Sequence, residues 1–84
     1  MRSAFTAEYA AFTRRIVSVR NDTGFTQQQL AEQIGKPQSF VSKYERGERR
    51  LDLIEFLAIA EALDIDPCQF IRDLQADTRK KSRP

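Results

Sequence analysis

Residues 26–47 decide the fold, and they read TQQQLAEQIGKPQSFVSKYERG. Thr26, with Gln29 three residues later, forms a capping box, which is a pattern that begins a helix. Gly35 has no side chain, so it can adopt the positive φ that a tight turn needs. Pro37 suits the first turn of a following helix. The segment therefore predicts two short helices joined by a tight turn.

The side chains of this segment divide into a buried set and an outward set. Ala31 is small enough for the close crossing of two helices. The larger apolar residues are expected to anchor both helices to the rest of the protein, and they are Leu30, Ile34, Val41 and Tyr44. The polar residues at the start of the second helix are expected to face outward, and they are Gln38, Ser39, Ser42 and Lys43.

Three further helices are predicted around this pair. The first runs from a cap at Thr6 to Gly24, the fourth begins with a second capping box at Asp52, and the fifth opens at Pro67. Their apolar stripes are Tyr9, Phe12, Ile16 and Val19 in the first, Leu53, Phe56, Leu57, Ala60 and Leu63 in the fourth, and Phe70, Ile71 and Leu74 in the fifth. No alternating pattern typical of a strand occurs, so the predicted fold is all-α.

The chain has 84 residues, enough for one domain with a modest core. We expect that domain to span residues 1–76 and to be followed by a basic, frayed tail at residues 77–84. No apolar run approaches the ~20 residues of a membrane span, and the N-terminus lacks a secretory signal pattern. The expected location is therefore the cytoplasm.

The composition argues against several kinds of chemistry. The chain contains no histidine, which removes histidine-based catalysis and the commonest zinc sites. Cys68 is the single cysteine, so it cannot form an internal disulfide. No catalytic constellation is present, and we expect neither an enzyme nor a metal or other cofactor.

Charge is distributed unevenly although the net charge is only +2. Residues 26–50 carry five Lys or Arg against three Glu, whereas residues 51–75 carry one Arg against six Asp or Glu. Such a field orients a protein on a polyanion with its basic side inward. An ordinary solvated surface would show the same charges, so the charge distribution alone does not distinguish such a surface from one that binds a polyanion.

The whole run of residues 26–47 resembles the helix-turn-helix of the phage-repressor or Xre-type family. The resemblance continues through residues 48–53 and the apolar positions of the fourth helix, and covers roughly residues 12–70. It implies a compact, five-helix, lambda-repressor-like domain that binds double-stranded DNA. Helices two and three would form the helix-turn-helix, and helix three would enter the major groove.

The resemblance also implies a role for individual residues. Base edges would be contacted by Gln38, Ser39, Ser42 and Lys43. Phosphates would be contacted by Gln27, Lys36, Arg46, Arg49 and Arg50. Arg20 would pair with Glu45, and Gln27 would brace Gln38. The alternative for the glutamines and serines is that they are solvated surface residues. Phe40 departs from the small polar residue usual at its position, and either packs on the domain or touches a thymine methyl.

Helices four and five carry more apolar residues than one small domain can bury. These residues are Ile54, Ala58, Ile65, Phe70, Ile71 and Leu74, and we expect them to form a homodimer interface. A dimer would bind a palindromic operator with half-sites about 34 Å apart.

The resemblance implies a regulator of the Cro-like repressor, prophage-regulator or restriction-modification controller type. RNA polymerase would be a further partner if the protein acts beside a promoter. The alternative is an antitoxin that binds a protein toxin and autoregulates its own promoter, which would use an extension or an exposed apolar face.

Overall fold

A computed structural model of the chain describes residues 6–82, with the side chains of residues 6–79. The helices are α1 (Ala7–Thr23), α2 (Gln27–Ile34), α3 (Gln38–Glu45), α4 (Leu53–Leu63) and α5 (Pro67–Ser82). No strand occurs in this part of the chain. The predicted all-α fold of five helices is confirmed.

Side chains cap the helix starts where the sequence predicts them. Thr26 Oγ1 accepts a hydrogen bond from the Gln29 amide at 3.0 Å, and Gln29 Oε1 accepts from the Thr26 amide at 2.9 Å. Asp52 and Glu55 repeat this arrangement at α4, at 2.7 and 2.9 Å. Each box satisfies amide donors that the first helical turn leaves without a partner.

The turn between α2 and α3 depends on Gly35. Its φ is +71°, in the left-handed region that favours glycine, and its amide donates to the Ala31 and Glu32 carbonyls. Pro37 lies at the N-cap of α3 rather than inside its first turn, one residue earlier than predicted. The turn packs α2 against α3, and the predicted small residue Ala31 is 1% exposed.

The core lies between the helix-turn-helix and the remaining three helices. Its most deeply buried large side chains are Ile16, Leu30, Val41, Tyr44 and Ile59. Three aromatic rings extend this core, because Phe12 of α1 lies 5.9 Å from Phe56 of α4 and 5.8 Å from Phe70 of α5, measured between ring centres. Phe56 and Phe70 lie 5.0 Å apart. The triangle fixes α5 against α1 and α4.

The predicted stripe of α4 is partly wrong. Leu53 is 62% exposed and Leu57 is 40% exposed, whereas Ile59, which the prediction omitted, is fully buried. Each residue turns the helix by about 100°, so an inward arc that contains Phe56, Ile59 and Leu63 directs Leu57 away from the core. These two leucines add to the apolar surface of the protein.

The prediction that Phe70 belongs to an interface with a second copy needs correction. Phe70 is 4% exposed and packs on Phe12 and Phe56, so it is part of the core of a single chain. Ile54 and Ile71 are exposed as expected, at 72% and 48%. Ala58 is also exposed, and Ile65 and Leu74 are half-buried.

Helix α5 extends beyond residue 76, across most of the segment predicted as a frayed tail. The Asp77 carboxylate accepts a hydrogen bond from Arg15 of α1, and Arg15 also lies 4.0 Å from Asp73. These interactions hold the continuation of α5 beside α1. Residue 76 is therefore not a boundary of secondary structure, and residues 83–84 lie outside the described part.

Candidate nucleic-acid interface

Helix α3 has one buried face and one outward face. Val41 and Tyr44 are buried in the core, at no more than 1% exposure. Gln38, Ser39 and Lys43 are exposed, and Ser42 is half-buried. The structure thus brings the four residues predicted to contact bases onto the outward side of one short helix. The major groove of B-form DNA admits an α-helix, so polar side chains on one outward helix face can reach base edges there.

An ion pair fixes the end of α3 to α1. Arg20 Nε donates to Glu45 Oε2 at 2.7 Å and Arg20 Nη2 donates to Glu45 Oε1 at 3.0 Å. Arg20 Nη1 also donates to the carbonyl of Phe25 at 2.7 Å. The two side chains are only 11% and 6% exposed, and the hydrogen bonds to Glu45 raise the pKa of Arg20. The predicted pair is present, with the bidentate geometry that arginine favours.

Hydrogen bonds between side chains extend from this ion pair to the outward face of α3. Gln27 Nε2 donates to Glu45 Oε1 at 2.9 Å, and Gln38 Nε2 donates to Gln27 Oε1 at 3.1 Å. Gln27 therefore braces Gln38, as the resemblance implied. The amide of Gln38 keeps its oxygen and one N–H for another partner, which is the pair of groups that reads an adenine edge.

Two of the five residues predicted to contact phosphates are already paired with carboxylates. Arg46 donates to both oxygens of Glu48, at 3.0 and 3.1 Å, and to the hydroxyl of Ser42. Arg49 donates to both oxygens of Glu55, at 3.0 and 2.8 Å. Arg49 lowers the pKa of Glu55 to about 2, and the Asp52 amide contributes. An acidic partner on the same chain offsets much of the charge that an arginine presents to a phosphate.

The remaining residues predicted to contact phosphates have different surroundings. Within the described residues, Lys36 and Arg50 form no ion pair at 4.0 Å or less. Lys36 lies over the ring of Phe40, with 5.3 Å from its Nζ to the ring centre. Arg50 lies over the ring of Tyr9 at 4.4 Å. Gln27 is engaged with Glu45 and Gln38.

Tyr9 is a contributor that sequence reasoning missed. Its hydroxyl accepts a hydrogen bond from the Leu51 amide at 2.9 Å, while its ring supports Arg50. Tyr9 thus holds the segment between α3 and α4 against α1. The prediction placed Tyr9 only in an apolar stripe. A tyrosine at the edge of such a stripe combines an apolar ring with a polar end, and this was the available signal.

A second surface feature lies away from α3. A groove of about 370 Å³ is bordered by residues of α1, α4, α5 and the segment before α4. Its apolar border includes Leu51, Leu53, Phe56, Ile71 and Leu74. Leu53 and Ile71 are exposed along it.

Residues 6–82 contain neither a cluster of metal-binding side chains nor a helix that could span a membrane. No three His, Cys, Asp or Glu side chains there lie close enough together to hold a metal ion. None of the helices has both the length and the apolar character needed to cross a membrane.

A family model described as helix-turn-helix matches residues 16–70, about two thirds of the chain. An XRE-family like protein from Pseudomonas syringae is 43% identical, and the match covers 86% of this chain and 88% of that one with a TM-score of 0.82. The chain belongs to the XRE family of helix-turn-helix proteins. The proteins of this family are DNA-binding transcriptional regulators and not enzymes.

Other relatives agree with this family. The restriction-modification controller protein C.AhdI from Aeromonas hydrophila is 37% identical, with 70% of this chain and 86% of that one covered and a TM-score of 0.65. A mutant of the controller protein C.Esp1396I shares the fold of this XRE-family protein, at 24% identity, 89% and 95% coverage and a TM-score of 0.79. An HTH-type transcriptional regulator from Sinorhizobium fredii is 35% identical over 66 residues, which are 79% of this chain and 46% of that protein. The XRE-family protein thus spans about half the length of that curated relative.

Proposed function

We propose that this XRE-family protein regulates transcription by binding a palindromic operator as a homodimer, in the manner of a small repressor or restriction-modification controller. The observation that carries the proposal is the outward face of α3, which presents Gln38, braced by Gln27, together with Ser39 and Lys43. Because operator DNA is the ligand, the proposed location is the cytoplasm. Occupancy of the operator would either block RNA polymerase or recruit it.

The outward face of α3 is proposed to read bases, and its surroundings to bind phosphates. Gln38, Ser39, Ser42 and Lys43 would contact base edges in the major groove. Lys36 and Arg50 are the strongest candidates for binding phosphates, because neither forms an ion pair within the described residues. Gln27, Arg46 and Arg49 would contribute only where a phosphate replaces or joins their present partners.

Selection of binding sites from a random DNA pool tests the proposal, because a base-reading protein should enrich one palindromic sequence. Gln38→Ala should then weaken operator binding by ~1–3 kcal/mol and relax the preference at one position in each half-site. Its salt dependence should stay unchanged, because the uncharged Gln38 neutralises no phosphate. Arg50→Ala is the matched comparison, and should weaken operator and random DNA alike while reducing the salt slope by ~0.9 for each phosphate that Arg50 neutralises.

These measurements have outcomes that would contradict the proposal. A pool from which no sequence is enriched would remove the sequence-specific function. An operator preference that survives Gln38→Ala would move base reading away from the first turn of α3.

The second copy is proposed to bind the exposed apolar face of α4 and α5. Ile54, Leu57 and Ala58 share one side of α4, and Leu53 and Ile71 border the groove beside it. An apolar patch of this kind on a small protein commonly marks an interaction site. The face excludes Phe70, which a single chain already buries.

Sedimentation at micromolar concentration should show a dimer, and Ile54→Asp should shift it to a monomer. Ser18→Asp, which adds the same charge on α1, away from this face, is the control. A wild-type protein that remains monomeric even on operator DNA would contradict the homodimer. In that case the apolar face would be available to bind a different protein, which would favour the antitoxin alternative.

A further inference from the structure

Phe40 is a large apolar residue on the rim of the outward face of α3, and its surroundings are unusual. It is half-buried, and its ring packs edge-to-face on Tyr44, with 5.6 Å between ring centres and 75° between planes. Two cations lie against the same ring. Lys36 Nζ is 5.3 Å from its centre and the Arg49 guanidinium carbon is 4.6 Å from it.

The two cations belong to different parts of the chain. Lys36 lies in the turn before α3, and Arg49 lies in the segment after it. The ring of Phe40 is thus the common neighbour of two flexible, charged side chains from opposite ends of α3. Attraction between a cation and the face of an aromatic ring orders such side chains while leaving their charge near the surface.

Arg49 is held further by its own neighbours. Its guanidinium donates to both Glu55 oxygens and, at 2.8 Å, to the carbonyl of Arg50. Glu55 in turn caps α4 by accepting from the Asp52 amide. The ring and the carboxylate together therefore fix the guanidinium at one position beside α3.

We propose that Phe40 is a positioning residue of the DNA-binding surface, whose ring, itself flanked by the Glu55-bound Arg49, holds Lys36 along one flank of α3 for contact with the phosphodiester backbone. At about 100° per residue, Phe40 lies beside Lys43 on the side opposite Gln38. One flank of the helix is therefore ordered by the amides of Gln27 and Gln38, and the other by this ring. The inference rests on the proposed DNA binding.

The proposal separates Phe40 from base reading. Binding to phosphates is independent of sequence and sensitive to salt, whereas contact with a thymine methyl is specific to one base pair. A positioning role also requires that removing the ring weakens the contribution of Lys36. A packing role does not require this.

The test measures dissociation constants over a range of salt concentrations for the selected operator and for random DNA. Phe40→Leu removes the ring and keeps an apolar side chain, and Phe40→Tyr keeps the ring. We expect Phe40→Leu to weaken both DNAs by a common factor of about fivefold. It should also reduce the salt slope by up to ~0.9, the contribution of one phosphate that Lys36 no longer neutralises. Phe40→Tyr should stay close to the wild type. Arg72→Gln, an exposed charge on α5, controls for a general reduction of charge.

A double-mutant cycle with Lys36→Gln supplies the second readout. The effect of Lys36→Gln should be smaller in the F40L background than in the wild type, because the ring no longer orders the lysine. If F40L fails to fold in a thermal melt, Phe40→Met replaces it in the same cycle.

Three results would overturn the inference or its basis. An unchanged salt slope with additive effects of Phe40→Leu and Lys36→Gln would reduce Phe40 to packing. A weakening confined to one A·T pair of the operator would make the ring a base-reading group. A wild-type protein that binds neither DNA would instead refute the proposed function, and the two failures are therefore distinguishable.

Discussion

Replacement of Arg20 by alanine tests how firmly α3 is fixed to the rest of the domain. The change removes two hydrogen bonds to Glu45, at 2.7 and 3.0 Å, and one to the Phe25 carbonyl, at 2.7 Å. Glu45, whose side chain is 6% exposed, would keep only the amide of Gln27 as a donor. Leaving one charge of a buried pair without its partner costs ~3–5 kcal/mol. The remaining donor favours the lower end of that range.

A destabilisation of ~3 kcal/mol corresponds to a fall in melting temperature of about 12–24 °C for a domain of this size. Thermal unfolding followed by circular dichroism measures it directly. Arg46→Ala is the matched control, because it breaks an ion pair whose two side chains are each 54% exposed. That variant should unfold close to the wild-type temperature, since exposed pairs contribute little.

The double variant Arg20→Ala with Glu45→Ala distinguishes an ion pair from simple packing. Removing both charges should destabilise the protein by clearly less than the sum of the single effects, because no unpaired buried charge remains. Strict additivity, or an Arg20→Ala melting temperature equal to that of Arg46→Ala, would refute the reasoning. At a temperature where the variant is folded, operator binding should also weaken, because Gln27 and Gln38 no longer have this support.

Two further predictions concern the acidic partners of the basic surface. Arg49 holds the pKa of Glu55 at about 2, below its ordinary 4.5. The stabilisation of the folded protein by this ion pair is therefore complete above pH 4.5 and is lost as the pH falls towards 2. Glu55→Gln should reduce the fall of the melting temperature at acid pH. If the melting temperature of the variant depends on pH as in the wild type, other carboxylates cause the acid dependence. Glu48→Gln should free Arg46, tighten binding to operator and random DNA alike, and steepen the salt slope by up to ~0.9. An unchanged slope would mean that Arg46 does not reach a phosphate.

Local signals in the sequence predicted the helices well. The capping boxes at Thr26 and Asp52 act within four residues, and Gly35 supplies its backbone conformation by itself. These features depend little on the rest of the fold, so spacing alone identifies them. The helix-turn-helix and its outward residues followed from such signals.

Interactions between distant residues were harder to predict. Arg20 and Glu45 are 25 positions apart, and only the family resemblance suggested that they meet. Arg15 and Asp77 are 62 positions apart, and no pattern in the sequence indicated their hydrogen bond, which accounts for the underestimated length of α5.

Burial within α4 and α5 also depended on packing that periodicity does not specify. When a helix carries apolar residues on several sides, the sequence pattern does not show which side faces the core. Leu57 and Ile59 are both apolar, and only the position of the neighbouring helices makes one exposed and the other buried. For the same reason Phe70 was assigned to a partner when the core of one chain contains it.

The amide chain from Glu45 through Gln27 to Gln38 has a thermodynamic consequence. Because Gln38 is already oriented in the free protein, most of its rotational freedom is given up during folding and not during association. Immobilising a side chain of this length at an interface costs roughly 0.5–1.5 kcal/mol. Recognition by Gln38 should therefore carry a smaller entropic penalty than in a variant whose Gln27 is shortened to alanine, and calorimetry of operator binding by the two proteins would measure the difference.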